Sequence, residues 1–218
     1  MISEFDANAF LFLLKSAQWT VMLTLTATLM GGVAGLVIAL ARVSHKALLR
    51  RAATFYIGVI QGVPVLVILF LAFFGVARLG LDLPAFFAAA LAMSLFASGY
   101  LAEIWRGAIQ SVPKPQWEAS TSLALTRLQQ FRYIIIPQAI RIALPPTVGF
   151  LVQLVKNTSI VSILGVVELA RAGQILSVAT FQPFLVFVAT AALYFAICFP
   201  LSQISRRLEV KLSGYAKG

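Results

Sequence analysis

Long stretches without a charged residue are the feature that most constrains the fold of this chain. Residues 16–41, 52–77 and 83–102 contain no Asp, Glu, Lys or Arg, and they are 26, 26 and 20 residues long. A helix needs about 20 residues to cross the roughly 30 Å hydrocarbon core of a bilayer. Each stretch is therefore long enough for one transmembrane helix.

Two further spans are predicted from less regular stretches. Residues 172–205 form a 34-residue uncharged stretch in which the sequence Phe-Gln-Pro at 181–183 favours a break. Only 14 uncharged residues lie between Arg141 and Lys156, so a span there requires one helix whose polar ends reach the membrane surfaces. The sequence predicts an all-α membrane protein, one transmembrane domain over residues 1–218, with five spans at about 19–41, 55–77, 83–102, 138–156 and 184–204.

The composition excludes a soluble domain. The chain is 61% hydrophobic and 11% charged, whereas soluble domains are about 45–50% apolar and about 25% charged. A net charge of +10 would indicate a nucleic-acid partner in a soluble protein. In so apolar a chain it indicates membrane orientation instead, and no nucleic-acid partner is predicted.

The distribution of Lys and Arg predicts which side each loop faces. Only Lys15, Arg78 and Arg171 fall on one side of a five-span arrangement, and Lys156 lies at the end of the fourth span. Cytoplasmic loops carry the excess of Lys and Arg, so we expect an outside N-terminus and a cytoplasmic C-terminus. The other thirteen basic residues share the cytoplasmic side: Arg42, Lys46, Arg50, Arg51, Arg106, Lys114, Arg127, Arg132, Arg141, Arg206, Arg207, Lys211 and Lys217.

Few residues could support chemistry. The single cysteine, Cys198, lies in an apolar run, and the single histidine, His45, lies in a basic loop. No catalytic residue and no metal site are predicted from so few nucleophiles and ligands. The start of the chain is acidic at Glu4 and Asp6 rather than basic, so we expect the first helix to be retained as a membrane anchor.

Small and polar residues in the first two spans indicate how they pack. Ala27, Gly31, Gly35 and Ala39 recur every four residues, a spacing that lets another helix approach closely. Gly58 and Gly62 repeat this spacing in the second span, just before Pro64. Either stripe could serve contacts within the chain or between subunits. Pro64 removes a backbone donor inside the membrane, and Gln61 beside it either bonds a neighbouring helix or lines a translocation path.

Residues 103–137 form a cytoplasmic segment that is too apolar for a free linker. Pro113 and Pro115 end the preceding helix and favour a new helix from about Gln116–Glu118. Glu118 would then lie in the first helical turn, where the helix dipole favours a carboxylate. The pattern predicts a docking element beneath the membrane.

The sequence around this segment resembles the membrane permease of ATP-binding-cassette (ABC) importers of type I, in the polar amino acid branch. That family carries a signature close to E-A-A-x(3)-G-x(9)-I-x-L-P, which Glu118-Ala119-Ser120, Ala124, Ile134, Ile136 and Pro137 match in spacing. The stretch YLAEIWRGAIQSVPK at 100–114 and the stretch KNTSI at 156–160 also resemble that branch. The likeness extends over essentially the whole chain.

The resemblance implies a mechanism and a set of partners. The segment 116–125 would be the coupling helix that fits a groove in a separate ATPase, with Glu118 facing a basic residue there. Its coupling residues would be Gln116, Glu118, Ala119, Ser120, Ala124 and Leu125. The implied partners are an ABC ATPase dimer that binds ATP and Mg²⁺, a second permease subunit, identical or different, an extracytoplasmic solute-binding protein, an amino acid substrate and the lipid of a bacterial inner membrane.

One further observation agrees with the resemblance, and another departs from it. No phosphate-binding loop G-x(4)-G-K-[ST] occurs in the chain, so we expect no cofactor and no ATPase activity here. Ala124 stands where the family has Gly, and a left-handed turn there would cost Ala roughly 1 kcal/mol or more. Either the turn is not left-handed, or the loop accepts the strain and coupling is affected.

Several residues are candidates for the translocation path or a gate. These are Gln61, Pro64, Glu103, Lys156, Asn157 and Ser159. Each has a structural alternative: Lys156 could extend to lipid head groups, and Glu103 could simply pair with Arg106 at i+3. Glu168 and Arg171 are expected to face outward, as part of a docking surface for the binding protein or of a solvated loop.

An ion-coupled secondary transporter is the main alternative function. Such carriers usually place Asp, Glu or His along a relay inside the membrane. None interrupts the three longest early uncharged stretches, which favours the ATP-driven class.

Overall fold

The computed structural model describes residues 4–213, and no strand occurs within that range. Helices follow one another through the whole of it, joined by short turns. The elements are α1 (Ala7–Arg42), α2 (Ala47–Gly62), α3 (Val65–Arg78), α4 (Ala85–Gln110), α5 (Lys114–Ser122), α6 (Arg127–Gln129), a π-helical turn (Gln130–Ile135), α7 (Ile136–Asn157), a 3-10 helix (Thr158–Leu164), α8 (Leu169–Thr180) and α9 (Pro183–Ser213).

The first helix is longer than the predicted span. Helix α1 begins at Ala7 because the Asp6 carboxylate accepts a hydrogen bond from the backbone N–H of Ala9 at 2.8 Å and caps its first turn. Its 36 residues extend about 54 Å, well beyond the thickness of a bilayer core. The span at 19–41 is therefore the second part of a longer helix.

The predicted span at 55–77 is not one straight helix. Helices α2 and α3 meet at an angle of 106° across a break of two residues. Pro64 cannot continue the hydrogen-bonding of α2 and restricts the preceding residue, and Val63 is accordingly extended at φ −103° and ψ 132°. The proline that was predicted to remove a backbone donor within this span in fact divides it in two.

The stretch predicted as the fourth span is a single helix. Helix α7 includes both Pro145 and Pro146 without a break. The Ser205 hydroxyl on α9 donates a hydrogen bond to the carbonyl oxygen of Pro145 at 2.9 Å, which connects the two helices at this point. The predicted break before the last span is also present, with Phe181 at a left-handed φ of 54° between α8 and α9.

The number of candidate spans agrees with the sequence. Within the described residues, four helical stretches are long and apolar enough to cross a membrane, namely Ala7–Arg42, Ala85–Gln110, Arg127–Leu164 and Pro183–Leu212. The bent pair α2–α3 supplies a fifth if it counts as one span.

Four apolar clusters hold the described helices together, and the two largest position the features discussed below. The main core joins α1, α2, α3, α4 and α7 and includes Leu23, Leu69, Met93, Leu101 and Leu154. A second cluster, which we call the α8 bundle, joins the start of α1, all of α8 and the start of α9. It consists of Ala9, Leu13, Leu169, Ala172, Leu176 and Val186 with their half-buried neighbours.

The small-residue stripe in α1 packs against α4. A Cβ atom added at Gly31 would lie 2.7 Å from both the Cβ of Ala97 and the carbonyl oxygen of Ser94. The reading of this stripe as an intrachain contact is therefore confirmed. By contrast, nothing lies within 4 Å of a Cβ added at Gly58 or Gly62, so the second stripe forms no such contact among the described residues.

Gly31→Ala is expected to destabilise the chain. The new methyl group would push against backbone, and overpacking of this kind typically costs about 1–3 kcal/mol. Ala in place of Gly gains only about 0.5–1 kcal/mol in a helix interior, so the net change is a loss. The measurement is the Tm of the purified protein in detergent, with Gly58→Ala as the control, because that glycine has open space around it. A Gly31→Ala Tm equal to or above that of Gly58→Ala would contradict the packing argument.

Candidate coupling surface and transmembrane crevice

The predicted coupling helix begins earlier than the sequence suggested. Helix α5 starts at Lys114 with Pro113 as its N-cap residue, and the N–H of Gln116 donates to the carbonyl oxygen of Pro113 at 3.0 Å. Pro115 fits the first turn because a first-turn residue needs no N–H partner. Glu118 consequently lies in the second turn, so the expected first-turn interaction with the helix dipole is wrong.

The predicted coupling residues divide between an exposed face and a buried anchor. Gln116, Glu118 and Ala119 are exposed, and Leu125 is half-buried. Ser120 is only 2% exposed and its hydroxyl donates to the carbonyl oxygen of Trp117 at 2.7 Å. The small side chain at position 120 thus lets α5 lie close to the rest of the segment, while Glu118 points to solvent.

The turn that ends α5 is left-handed at Ala124. Its φ is 54°, in the region that favours glycine. Two backbone hydrogen bonds close the turn, from the N–H of Ala124 to the carbonyl oxygen of Thr121 at 2.9 Å and from the N–H of Leu125 to that of Ser120 at 3.3 Å. Of the two alternatives that the sequence left open, the loop therefore accepts the strain.

Ala124→Gly is expected to stabilise this turn by about 1 kcal/mol, because it removes the steric cost of a left-handed alanine. Hydrogen exchange of the amides around residues 123–126 should slow in the purified protein. The matched control is Ala119→Gly, where the same substitution in the interior of α5 should cost about 0.5–1 kcal/mol and speed exchange in that helix. Equal effects of both substitutions would show that the turn carries no strain.

Gln130 braces the coupling segment, and sequence reasoning missed it. This buried side chain donates from Nε2 to the carbonyl oxygen of Leu125 at 3.0 Å and to the Thr121 hydroxyl at 3.2 Å. The rings of Trp117 and Phe131 meet edge to face, 5.4 Å apart, on the same side. The only signal in the sequence was a pair of glutamines, Gln129 and Gln130, between Leu128 and Phe131 at the start of the run to Pro137.

Two leucine side chains close to α5 in the sequence are exposed. Leu123 is 72% exposed and Leu128 is 78% exposed. A shallow cleft of about 410 Å³ lies against α5, lined by Trp117, Glu118, Thr121, Ser122 and Gln130. We call α5, the Ala124 turn and these two leucines the coupling surface. It combines an acidic and an apolar part, which suits a protein partner.

A crevice of about 360 Å³ opens at the break between α2 and α3. Three of the predicted path residues, Gln61, Pro64 and Asn157, line it together. It also contains the side chains of Phe96, Tyr100 and Gln153, which the sequence did not single out. Non-helical backbone within a membrane is tolerated where it is buried in protein or faces a water-filled cavity. The crevice therefore combines backbone and amide groups that can bind a small polar molecule with aromatic rings that can cover it.

The other three predicted path residues lie elsewhere. Glu103 accepts from Nε of Arg106 at 2.8 Å, the i, i+3 ion pair that was its structural alternative. Ser159 donates to the carbonyl oxygen of Lys156 at 2.7 Å, within its own turn.

Lys156 lines a different cleft from the crevice. This cleft, of about 310 Å³, runs along α9 and is lined by Lys156, Tyr194, Phe195, Cys198, Phe199, Ser202, Gln203 and Arg206. We call it the α9 groove. The two adjacent residues Lys156 and Asn157 thus belong to two separate cavities, so they are not parts of one site.

The expected exposure of Glu168, in a docking surface or a solvated loop, is wrong. Its side chain is fully buried, at 0% exposure, and Oε1 accepts a hydrogen bond from the N–H of Arg171 at 2.8 Å. The carboxylate thereby caps α8 instead of facing solvent. Arg171 is half-buried and its guanidinium donates to the side chain of Gln174 at 3.1 Å.

Known proteins are similar to this chain in sequence and in fold. The family described as "binding-protein-dependent transport system inner membrane component" matches residues 31–214. A probable amino-acid ABC transporter permease protein, YckA of Bacillus subtilis, is 41% identical over 95% of this chain and 92% of its own length. The L-cystine transport system permease protein TcyB of the same organism is 35% identical over 90% of this chain and 85% of its own.

Solved structures of ABC transporters have a fold similar to that of this chain. A crystal structure of an amino acid ABC transporter with histidines matches with a TM-score of 0.86 at 35% identity, covering 92% of this chain and 94% of the other. An inward-facing structure of the MetNI methionine ABC transporter shares the fold, with a TM-score of 0.76 at 20% identity. The chain therefore belongs to the family of inner membrane components of binding-protein-dependent transport systems, the permease subunits of ABC transporters.

Proposed function

We propose that this chain forms the translocation path of an ATP-driven importer for a polar amino acid and couples it to a separate ATPase. In this proposal the ATPase dimer, with its ATP and Mg²⁺, binds the coupling surface. Closure of the two ATPase subunits pushes the coupling surfaces together and rocks the membrane helices between inward and outward openings. A second permease subunit and an extracytoplasmic binding protein complete the complex.

The observation that carries the proposal is the coupling surface itself. Gln130 and the Trp117–Phe131 contact hold α5 rigidly, while Glu118, Leu123 and Leu128 remain exposed. A chain that needed no partner would gain from covering two leucines with its own residues. A rigid exposed element is what transmission of a push requires, because a mobile loop would absorb the movement.

The crevice supports a polar substrate. Its amide groups come from Gln61, Gln153 and Asn157, and Tyr100 and Phe96 add aromatic surface. The names of the relatives refer to amino acids, among them cystine and glutamine. A zwitterion bound there would exchange water for amide and backbone groups.

The proposal is tested by isolating the chain from its own membrane and identifying what accompanies it. We expect an ABC ATPase to co-purify. The complex, reconstituted in proteoliposomes with its binding protein, should take up one or a few polar amino acids only when ATP is present on the ATPase side. ATP-independent uptake driven by an ion gradient would instead support a secondary transporter and overturn the proposal.

The proposed orientation has its own test in a Cys198→Ser background, which removes the only native thiol. Asp82 lies in the exposed loop before α4, and Ser111 lies at the exposed end of α4, outside the coupling surface. In intact cells a membrane-impermeant maleimide should label Asp82→Cys at once. Ser111→Cys should react only after the membrane is permeabilised, and early labelling at position 111 would reverse the orientation.

A further inference from the structure

Glu168 is a buried carboxylate that belongs neither to the coupling surface nor to the crevice. It is 0% exposed, and among residues 4–213 no Lys, Arg or His lies within ion-pairing distance of it. A buried charge without a counter-ion is costly unless hydrogen bonds replace the lost water. Its position at the boundary between the main core and the α8 bundle therefore calls for a physical explanation.

Three donors converge on this carboxylate from three helices. Oε2 accepts from the Tyr194 hydroxyl of α9 at 2.9 Å and from the Thr20 hydroxyl of α1 at 3.3 Å, while Oε1 accepts from the N–H of Arg171 in α8. Thr20 in turn accepts from the N–H of Leu169 at 3.1 Å. The carboxylate oxygens thus have hydrogen-bond partners on α1, α8 and α9, and the bond from the N–H of Arg171 caps the first turn of α8.

We call the hydrogen-bonded cluster of Glu168, Thr20, Tyr194 and the Arg171 N–H the knot. It lies at one end of a short segment, and the other end of that segment adjoins the crevice. Residues 158–168 follow directly after Asn157, a residue of the crevice wall. Within the segment, Thr158 and Val161 are fully buried, and Ile160, Leu164 and Val166 pack against the main core. The segment thus covers one end of the core, held by the helix at Asn157 and by the carboxylate at Glu168.

We propose that Glu168 is a positioning residue for the translocation path. By tying the far end of the 158–168 segment to α1 and α9, its carboxylate holds Asn157 in the crevice. The inference rests on the proposed function, which makes the crevice the path. It concerns a residue outside the crevice that acts through Asn157.

The minimal variant is Tyr194→Phe, which removes one donor and keeps the ring in place. Glu168→Gln is the second variant, because its amide N–H₂ would meet donors where the carboxylate accepts. Thr190→Val is the matched control: Thr190 is a buried hydroxyl one turn away on α9 that donates only to the carbonyl oxygen of Val186 among the described residues.

The first readout is the reactivity of a thiol at the crevice. In the Cys198→Ser background, Asn157→Cys is labelled with a maleimide in the purified complex in lipid nanodiscs, so that both faces are accessible. Tyr194→Phe and Glu168→Gln should each raise the labelling rate about 10-fold, the effect of losing one hydrogen bond to a charged group. Thr190→Val should leave the rate unchanged. Unchanged labelling in both knot variants, or equal changes in the control, would overturn the proposal.

The second readout compares uptake with ATP hydrolysis in chains that keep Asn157. The knot variants should lose about 10-fold in the ratio of amino acid taken up to ATP hydrolysed, while a purely structural defect would lower both in proportion to the amount of complex. Proportional loss would overturn the positioning role. If the wild-type complex takes up no amino acid, the proposed function fails, and the labelling rates still decide whether Glu168 positions Asn157.

Discussion

Glu118→Arg is expected to abolish substrate-stimulated ATP hydrolysis in the assembled complex while the chain remains inserted in the membrane. Glu118 is exposed on α5, and the resemblance to importer permeases implies a basic residue opposite it in the ATPase. Reversal of the charge would place two cations together at the contact, and like charges across an interface cost several kcal/mol. The loss should be at least about 100-fold, since each 1.4 kcal/mol changes a binding equilibrium tenfold.

Glu209→Arg is the matched control for this experiment. Glu209 is also an exposed carboxylate with the same predicted cytoplasmic location, but it lies on α9 outside the coupling surface. The two variants make the same change in net charge, so electrostatic effects on insertion are common to both. Stimulated hydrolysis that survives Glu118→Arg, or that falls equally with Glu209→Arg, would remove Glu118 from the coupling role.

The sequence predicted the spans because a bilayer imposes a simple rule on charge. Uncharged stretches had to be helical, and the 14 uncharged residues before Lys156 could only work as one helix. It could not predict the extent of α1, because the cap at Asp6 and the packing of the α8 bundle set that start. The 106° bend at Pro64 also exceeded the prediction, since a proline in a membrane helix can kink it or divide it.

Buried polar residues were the part that the sequence could not place. Glu168 was expected to be exposed and Gln130 was not singled out, because charged and amide side chains are mostly exposed. Their burial depends on donors and acceptors far away in the chain, such as Thr20 and Tyr194 for Glu168. Periodicity reports which face of one helix is apolar, and it carries no information about which helix lies opposite.

The crevice shows the same division between local and tertiary information. Gln61, Pro64 and Asn157 were predicted from local signals, a polar residue, a proline and a polar cluster at a helix end. That they line one cavity with Gln153 and Tyr100 follows only from the packing of α2 and α3 against α4 and α7. Lys156 and Asn157 were both candidates for the path. Neighbouring residues of a helix point in directions about 100° apart, and Lys156 lines the α9 groove instead of the crevice.

Asn157→Leu is expected to lower amino acid uptake by about 10- to 100-fold in the reconstituted complex. Leucine branches at Cγ as asparagine does but has no hydrogen-bonding group, and an unpaired polar group of a bound substrate costs about 1–3 kcal/mol. Basal ATP hydrolysis should persist, because the coupling surface is unchanged. Uptake rates over a range of substrate concentrations, together with ATP hydrolysis, provide the measurement.

Gln203→Leu distinguishes the two cavities that could carry the substrate. Gln203 lines the α9 groove beside Lys156 and Arg206, and it is half-buried, as Asn157 is. The substitution removes an amide in the same way, so general effects of a more apolar membrane helix are matched. If the path follows the crevice, uptake falls with Asn157→Leu and stays near wild type with Gln203→Leu. The reverse result would move the path to the α9 groove, where the two cations would favour the carboxylate of the substrate and Lys156 would become its contact.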